Sequence, residues 1–256
     1  MAGDIDREGV EKAYGRWAPV YDLVFGKVFD EGRRSTIAEA DKIGGRVLDV
    51  GVGTGLSLSE YSRNTKLCGV DISEPMLRRA LKRVREFGLT NVETLAVMDA
   101  KNLAFKDSCF DAVVAQYVIT AVPDPERTLD DFIRVLKPGG VTVLHTISSN
   151  EANGGNDAWM DKYIFPGGML PSVAQLGAAM DGLLVMEDWH NFGPDYDKTL
   201  VAWQNNVDKH WGKFKAKFDE RFHRMWRYYL LSLAGSFRAR KIHLWQIVMS
   251  KQGVLG

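Results

Sequence analysis

The sequence predicts an α/β fold built on a parallel, doubly wound sheet, and three observations carry that expectation. Short apolar runs alternate with helical patterns from about Gly45 to Ile147. A turn with glycine at alternate positions, Gly51, Gly53 and Gly55, follows the first run directly. An acidic residue, Asp49, Asp71 or Asp99, stands at or just past the end of each of the first three runs.

Taken in order, RVLDV (46–50), LCGVD (67–71), ETLAV (93–97), FDAVVAQ (110–116) and VTVLHTI (141–147) read as strands. Between them, EPMLRRALKRVREFG reads as a helix stopped by Gly88, and PERTLDDFIRVLKPGG as a helix that starts on proline and stops at Gly139 and Gly140. SSNEANGGNDAW is loop-like. From Asp197 to about Phe237 the apolar positions Leu200, Trp203, Val207, Trp211, Phe214, Phe218, Phe222, Met225 and Tyr229 recur every three or four residues, which predicts a long helix broken in two at Gly212. HLWQIVMS (243–250) and LLVMEDW (183–189) are expected to pair antiparallel and complete a seven-stranded sheet. No internal repeat or linker separates a second unit, so residues 1–256 are expected to form a single domain.

The chain has 256 residues, 45% hydrophobic and 26% charged, with 25 Gly and 8 Pro, a globular composition that excludes collagenous and disordered classes. Its two cysteines, Cys68 and Cys109, lie in apolar strand-like runs, so neither a disulfide framework nor a cysteine-built zinc site is expected, and a reducing cytoplasm fits. The N-terminal MAGDIDREGVEKAYGRWAPVYD lacks the basic start and apolar stretch of a signal peptide. Thirty-three basic residues balance 33 acidic ones, which argues against a nucleic-acid partner. The balance is uneven along the chain. Twelve Lys and Arg from Lys198 to Lys251 face only Asp208, Asp219 and Glu220, and they interleave with many aromatics, a composition suited to a phospholipid surface or to a solvated helix face.

The glycine turn lets the backbone approach a ligand closely, with a following helix expected to aim its N-terminus at a carboxylate or phosphate. Its G-x-G-x-G spacing departs from the G-x-G-x-x-G dinucleotide form, and no phosphate-loop lysine follows. Asp71 stands where a carboxylate accepts two hydrogen bonds from the hydroxyls of an adenosine ribose, and Asp99 where one reaches an adenine amino group. His190 and His243 have no acidic or cysteine partner at metal-ligand spacing and are assigned to structure; no metal is expected.

The VLDVGVGTG, GVDIS, VMDA and RVLKPGG stretches resemble the Rossmann-like S-adenosylmethionine-dependent methyltransferases. The resemblance implies S-adenosylmethionine as cofactor, with Asp49, Gly51, Gly53 and Gly55 against its methionine part, Asp71 and Ile72 at the ribose, Asp99 and Ala100 near the adenine, and Met76 and Gln116 nearby. It also implies a cofactor core over 45–147, acceptor-binding helices with the last two strands over 148–256, and an N-terminal helical lid over 1–44 bearing Tyr14, Trp17 and Tyr21.

Two subfamilies share the chain. Residues 10–140 are similar to bacterial phosphatidylethanolamine N-methyltransferases, whereas residues 143–251, with VLHTIS, DKYIFPGGMLPS, FGPDYDKTLVAW and RMWRYYLLSLAGSFRAR, are similar to cyclopropane fatty acid synthases. An amine acceptor needs mainly alignment with the methyl donor, while methylating an alkene produces a carbocation that must lose a proton. The synthases use bicarbonate for this. Carried over, His145, the backbone at Ile147 and Tyr196 are retained, but Val52 stands for the family's cysteine, and Thr120 and Ala121 for its glutamate and histidine, leaving the bicarbonate site incomplete. The expectation is therefore methyl(ene) transfer to an unsaturated acyl chain of a phospholipid, at the inner membrane surface. Headgroup N-methylation, or cofactor binding without turnover, is the alternative.

Overall fold

A computed structural model of the protein describes residues 30–152, 157–165, 167–216 and 218–253. The expected lid residues Tyr14, Trp17 and Tyr21 lie outside these described residues. Helix α1 (Asp30–Ile43) leads into β1 (Arg46–Val50), β2 (Lys66–Asp71), α2 (Glu74–Glu86), β3 (Val92–Val97), β4 (Phe110–Gln116), a 3₁₀ turn at Ile119–Ala121, α3 (Pro125–Val135) and β5 (Leu136–Ser149). There follow α4 (Ala158–Tyr163), α5 (Val173–Met180), β6 (Val185–Asn191), α6 (Gly193–Phe214), α7 (Glu220–Arg238) and β7 (Ile242–Ser250).

The seven strands form one mixed sheet in the order β3-β2-β1-β4-β5-β7-β6. β1 to β5 pair in parallel, and β7 runs antiparallel between β5 and β6. The expected antiparallel pair is present, with β6 placed two residues later than the apolar run suggests. Successive strand residues bury on opposite faces. Leu48 and Val113 join one core with Leu129 and Phe132 of α3 and Leu176 and Met180 of α5, while Val47, Ala112 and Val114 join another with Ile37 and Ala40 of α1 and Leu77 and Ala80 of α2. A third cluster packs α4, α6 and α7 together through Met160, Leu200, Trp203, Trp226, Leu230 and Phe237.

Local chemistry accounts for most helix ends. Pro75 and Pro125 occupy first-turn positions, where a missing N–H costs nothing, and the Asp124 side chain accepts a hydrogen bond from the Arg127 N–H at 3.0 Å. Gly88 takes the left-handed conformation (φ +55°) just beyond α2, as its stop signal predicts.

Three expectations are corrected. The second helix ends at Val135 rather than at Gly139–Gly140, because Pro138 disfavours helical backbone at Lys137; the chain passes directly into β5, where a register shift absorbs the extra residues. The long aromatic helix starts at Gly193, on Pro194, and Gly212 lies inside α6; the break comes after Phe214, and Asp219 caps α7 by accepting from the Phe222 N–H at 2.8 Å. A single glycine in a packed helix costs about 1 kcal/mol, too little to end it. Beyond the loop-like stretch, the described residues up to 183 hold two short helices, and α5 carries a capping box between Ser172 and Gln175. Finally, no helix follows the glycine turn: residues 51–61 run as successive turns into β2, so the expected helix N-terminus facing a ligand is absent there.

Candidate functional site

The chain winds outward from β1 to β3 on one side and then crosses to β4 on the other, so the sheet switches direction between β1 and β4. Ligands of open α/β sheets bind outside the carboxyl ends of the strands at such a point. Here the residues after β1 and β4 meet. Gly51 (φ +69°) sits so close to Val118 that a Cβ at Gly51 would lie 2.4 Å from the valine Cγ2. Gly53 (φ +56°) and Gly55 (φ +76°) are also left-handed, so the whole turn depends on residues without a Cβ.

Asp71 holds this turn in place. One carboxylate oxygen accepts the Gly53 N–H at 2.9 Å and the other accepts the Ser73 N–H at 2.8 Å. Burial pushes its pKa up, and those two N–H groups pull the other way. Each oxygen keeps a second lone pair, so the carboxylate can still accept from a diol. Asp49 is buried beneath the turn, accepting from Ser57 Oγ at 2.8 Å and Tyr61 Oη at 3.3 Å. Loss of solvent pushes its pKa up to about 6; the two hydroxyls oppose the shift and the charge of Asp71 adds to it.

Strand order places the remaining expected residues along one rim. Asp99 and Ala100 follow β3, Ile72 follows β2, the glycine turn follows β1 and Gln116 ends β4. Asp99 Oδ1 accepts the Lys101 N–H at 3.2 Å and its carbonyl accepts the Asn102 N–H, a strand-end turn that leaves the carboxylate half-exposed. Met76 is buried in the first turn of α2. The rim is a line of backbone turns and carboxylates.

On the other side of β4 the site is aromatic. His145, opposite Gln116 in the β4–β5 register, is fully buried, and neither ring nitrogen has a hydrogen-bond partner among the described residues. Burial pushes its pKa down to about 3, so the imidazole is neutral at physiological pH. Gly32 of α1 covers it so closely that a Cβ there would lie 3.0 Å from Nε2. Two unpaired buried nitrogens cost about 1–3 kcal/mol each.

Sequence reasoning missed Tyr117. Its ring stands edge-on to His145, with centroids 5.2 Å apart, and stacks on Tyr196 at 6.2 Å, so it is the side chain that joins the two expected residues. Its backbone is left-handed (φ +61°) while its N–H donates to the His145 carbonyl at 2.7 Å. A non-glycine residue in that conformation costs about 1–2 kcal/mol. Phe192, just before α6, closes the other side of the imidazole at 5.8 Å. The one signal for Tyr117 in the sequence is an aromatic directly after an apolar strand. Ile147 packs beside this group, and Thr120 lies in the 3₁₀ turn beyond Tyr117.

A family model described as mycolic acid cyclopropane synthetase matches residues 38–247. The chain belongs to the mycolic acid cyclopropane synthetase family. Cyclopropane-fatty-acyl-phospholipid synthase of Escherichia coli K12 is 39% identical over 217 residues, 82% of this chain and 54% of that protein. Phosphatidylethanolamine N-methyltransferase of Cereibacter sphaeroides is 46% identical over 140 residues, 55% of this chain and 68% of that protein. This member of the cyclopropane synthetase family thus spans about half the length of the E. coli synthase. In fold it matches the mycolic acid cyclopropane synthase CmaA1 solved with S-adenosylhomocysteine and CTAB, with a TM-score of 0.73 at 21% identity over 85% of this chain and 83% of that one. The seven-stranded sheet is that of the class I methyltransferases.

Two small molecules associated with such folds can be tested against the residues present. The glycine cradle at the switch point, with carboxylates after β1, β2 and β3, fits S-adenosylmethionine: it offers close backbone approach, anionic groups for a cation and acceptors for hydroxyls. Bicarbonate does not fit. Val52 is buried and apolar against Gly69, Thr120 brings no carboxylate, and the His145 ring is enclosed by Gly32, Tyr117 and Phe192.

Proposed function

We propose that the protein is an S-adenosylmethionine-dependent methyltransferase that modifies an unsaturated acyl chain of a phospholipid. The observation that supports this reading best is His145, a neutral imidazole kept unpaired in an aromatic enclosure at the carboxyl end of β5. Such a group destabilises the fold, and retaining a neutral, dry enclosure makes sense where a cationic carbon must be shielded from water.

When bound, S-adenosylmethionine supplies an activated methyl group. Asp71 and the Gly51–Gly55 turn would hold its ribose and methionine part, and Asp99 would reach its adenine. Tyr117, Tyr196 and Phe192 would line the acceptor side with aromatic rings, which attract positive charge and exclude water. His145 stays neutral there, behind Tyr117, and adds no competing positive charge to the acceptor side. The phospholipid acceptor implies work at a membrane surface; among the described residues no helix is long and apolar enough to cross a membrane.

A second reading has its own support. Headgroup N-methylation is favoured by the 46% identity of the front half to a phosphatidylethanolamine N-methyltransferase and by the missing bicarbonate ligands at Val52 and Thr120. One experiment separates them. Vesicles of unsaturated phosphatidylethanolamine are incubated with methyl-labelled cofactor, and the label is located after hydrolysis. Label in the acyl chains is expected; label confined to the headgroup overturns the acyl-chain reading, and no transfer at all leaves a cofactor-binding chain.

A further inference from the structure

Among the described residues, two of the exposed apolar patches carry opposite charges. At the sheet edge, Leu183, Val185 and Met186 stand among Asp181, Glu187 and Asp188. On α7, the exposed residues Arg221, Arg224, Tyr228, Leu231, Gly235 and Arg238 repeat at three and four residues and so form a single stripe, with Arg227 alongside. Tyr228 is 55% exposed and Leu231 40% exposed.

The stripe is enlarged by α4. Trp159 packs edge-on against Tyr228 with centroids 4.5 Å apart, and Tyr163 packs on Trp159 at 5.5 Å while remaining exposed. Acids near this face are already engaged. Glu220 accepts from Trp211 Nε1 at 3.0 Å, Asp208 binds His223 Nε2 at 2.9 Å, Asp197 pairs with Arg238, Asp157 caps α4, and Asp161 accepts the Gly167 N–H. Arg221 and Arg224 make no ion pair among the described residues, nor do Lys209, Lys213 and Lys215 on the adjoining end of α6.

We propose that the outer stripe of α7, with Trp159 and Tyr163 of α4, is the face by which the protein docks on an anionic phospholipid bilayer. Unpaired arginines beside tyrosine, tryptophan and leucine match a surface that is negative at the headgroups and apolar just below. The acidic patch at the β6 edge has the wrong sign for this. The same helix connects dock to site. Its inner face buries Trp226, Tyr229, Leu230 and Phe237 in the cluster that also contains Tyr196 and packs on Tyr117 and Ile147, and Phe237 touches Tyr196 with ring centroids 4.9 Å apart. An acyl chain would therefore reach the aromatic wall across roughly one helix diameter, about 10 Å.

This inference rests on the phospholipid reading, and its test is designed to fail separately. The full chain and the triple variant Arg221→Gln/Arg224→Gln/Arg227→Gln are co-sedimented with vesicles containing phosphatidylglycerol, in dilute and concentrated salt. Each arginine near such a surface is worth about fivefold in binding, so the variant should bind about a hundredfold more weakly in dilute salt, with an unchanged melting temperature. Both proteins should methylate the same phospholipid equally in neutral detergent micelles. Val185→Ser/Met186→Ser at the β6 edge should bind vesicles like the parent chain.

Equal vesicle binding by parent and triple variant overturns the docking face, as does loss of binding in the β6 variant. Absence of parent binding in either salt also overturns it; if micellar methylation persists, the enzymatic reading survives. If the parent chain self-associates and the triple variant is monomeric with unaltered vesicle binding, the stripe belongs to a second copy of the chain.

Discussion

The two halves of the site each bury a titratable group, and the two groups are driven in opposite directions. In the glycine-turn half, Asp49 is raised to about 6 beneath a turn of glycines and paired by two hydroxyls. In the aromatic half, His145 is lowered to about 3 and has no hydrogen-bond partner among the described residues. Burial favours the neutral form in both. The glycine-turn half supports its buried acid with polar partners from the same local stretch, residues 57 and 61, whereas the aromatic half encloses its base between the rings of Tyr117, just after β4, and Phe192, just before α6, under the backbone of Gly32 in α1. A polar cradle suits a ligand held by hydrogen bonds. A dry aromatic enclosure suits a cation that must not meet water.

The largest test of this contrast is acid stability. The folded-state pKa of His145 lies below its ordinary value of 6.5, so its neutral form contributes fully above that value and the contribution is lost as pH falls toward about 3. At about 1.4 kcal/mol per unit of displacement, the loss amounts to several kcal/mol across that window. His145→Leu should flatten the decline measured by urea unfolding between pH 6 and 4, and abolish methyl transfer. If the variant unfolds in acid like the parent chain, the unpaired imidazole is not the cause.

Asp49 should give the opposite slope. Its folded-state pKa is raised above the ordinary 3.8, so its contribution is complete below that value and lost as pH rises through about 6, by about 3 kcal/mol. Asp49→Asn should remove this fall in urea-unfolding stability from pH 4 to 7. Calorimetry should also show the parent chain binding S-adenosylmethionine more tightly above pH 6 than below it, since a cation favours the ionised acid; pH-independent binding would separate Asp49 from the cofactor.

Asp71→Ala tests the rim itself. The variant loses acceptors for the cofactor and the tether to Gly53, and charge-assisted hydrogen bonds contribute about 1.5–3 kcal/mol each, so calorimetric affinity for S-adenosylmethionine should fall at least about tenfold. Unchanged affinity would remove the rim from the binding site. The smallest effect is expected at Ser172→Ala, which breaks the capping box of α5 behind the sheet: about 1 kcal/mol of unfolding stability, with cofactor affinity unaltered. An affinity change there would show that the two halves are coupled through the core.

How far the sequence could be read follows the range of the forces involved. Gly51, Gly53 and Gly55 are legible because left-handed backbone excludes other side chains whatever surrounds them, and Asp71 because a carboxylate at a strand end bonds neighbouring N–H groups. Helix ends are legible where the start or stop signal is a neighbour in sequence, as at Pro125 and Gly88. The capping box at Ser172 and Gln175 is equally local, but it lies in a segment without apolar rhythm to mark a helix. Periodicity foresaw the aromatic helices but placed their break at Gly212, since an isolated glycine weakens a helix less than packing strengthens it.

By itself, then, the sequence determined the alternating core, the glycine turn, the carboxylates along the rim and the family, all properties of neighbouring residues or of strand order. Tertiary structure decided what surrounds His145. Gly32 lies 113 positions earlier in the chain, Phe192 lies 47 later, and Tyr117 reaches both His145 and Tyr196 only through a strained backbone at the end of β4. Tertiary structure also turned Arg221, Arg224, Tyr228 and Leu231 outward while Trp226, Leu230 and Phe237 turned in. A 3.6-residue period shows that a helix has two faces; only the elements packed against it determine which face meets solvent.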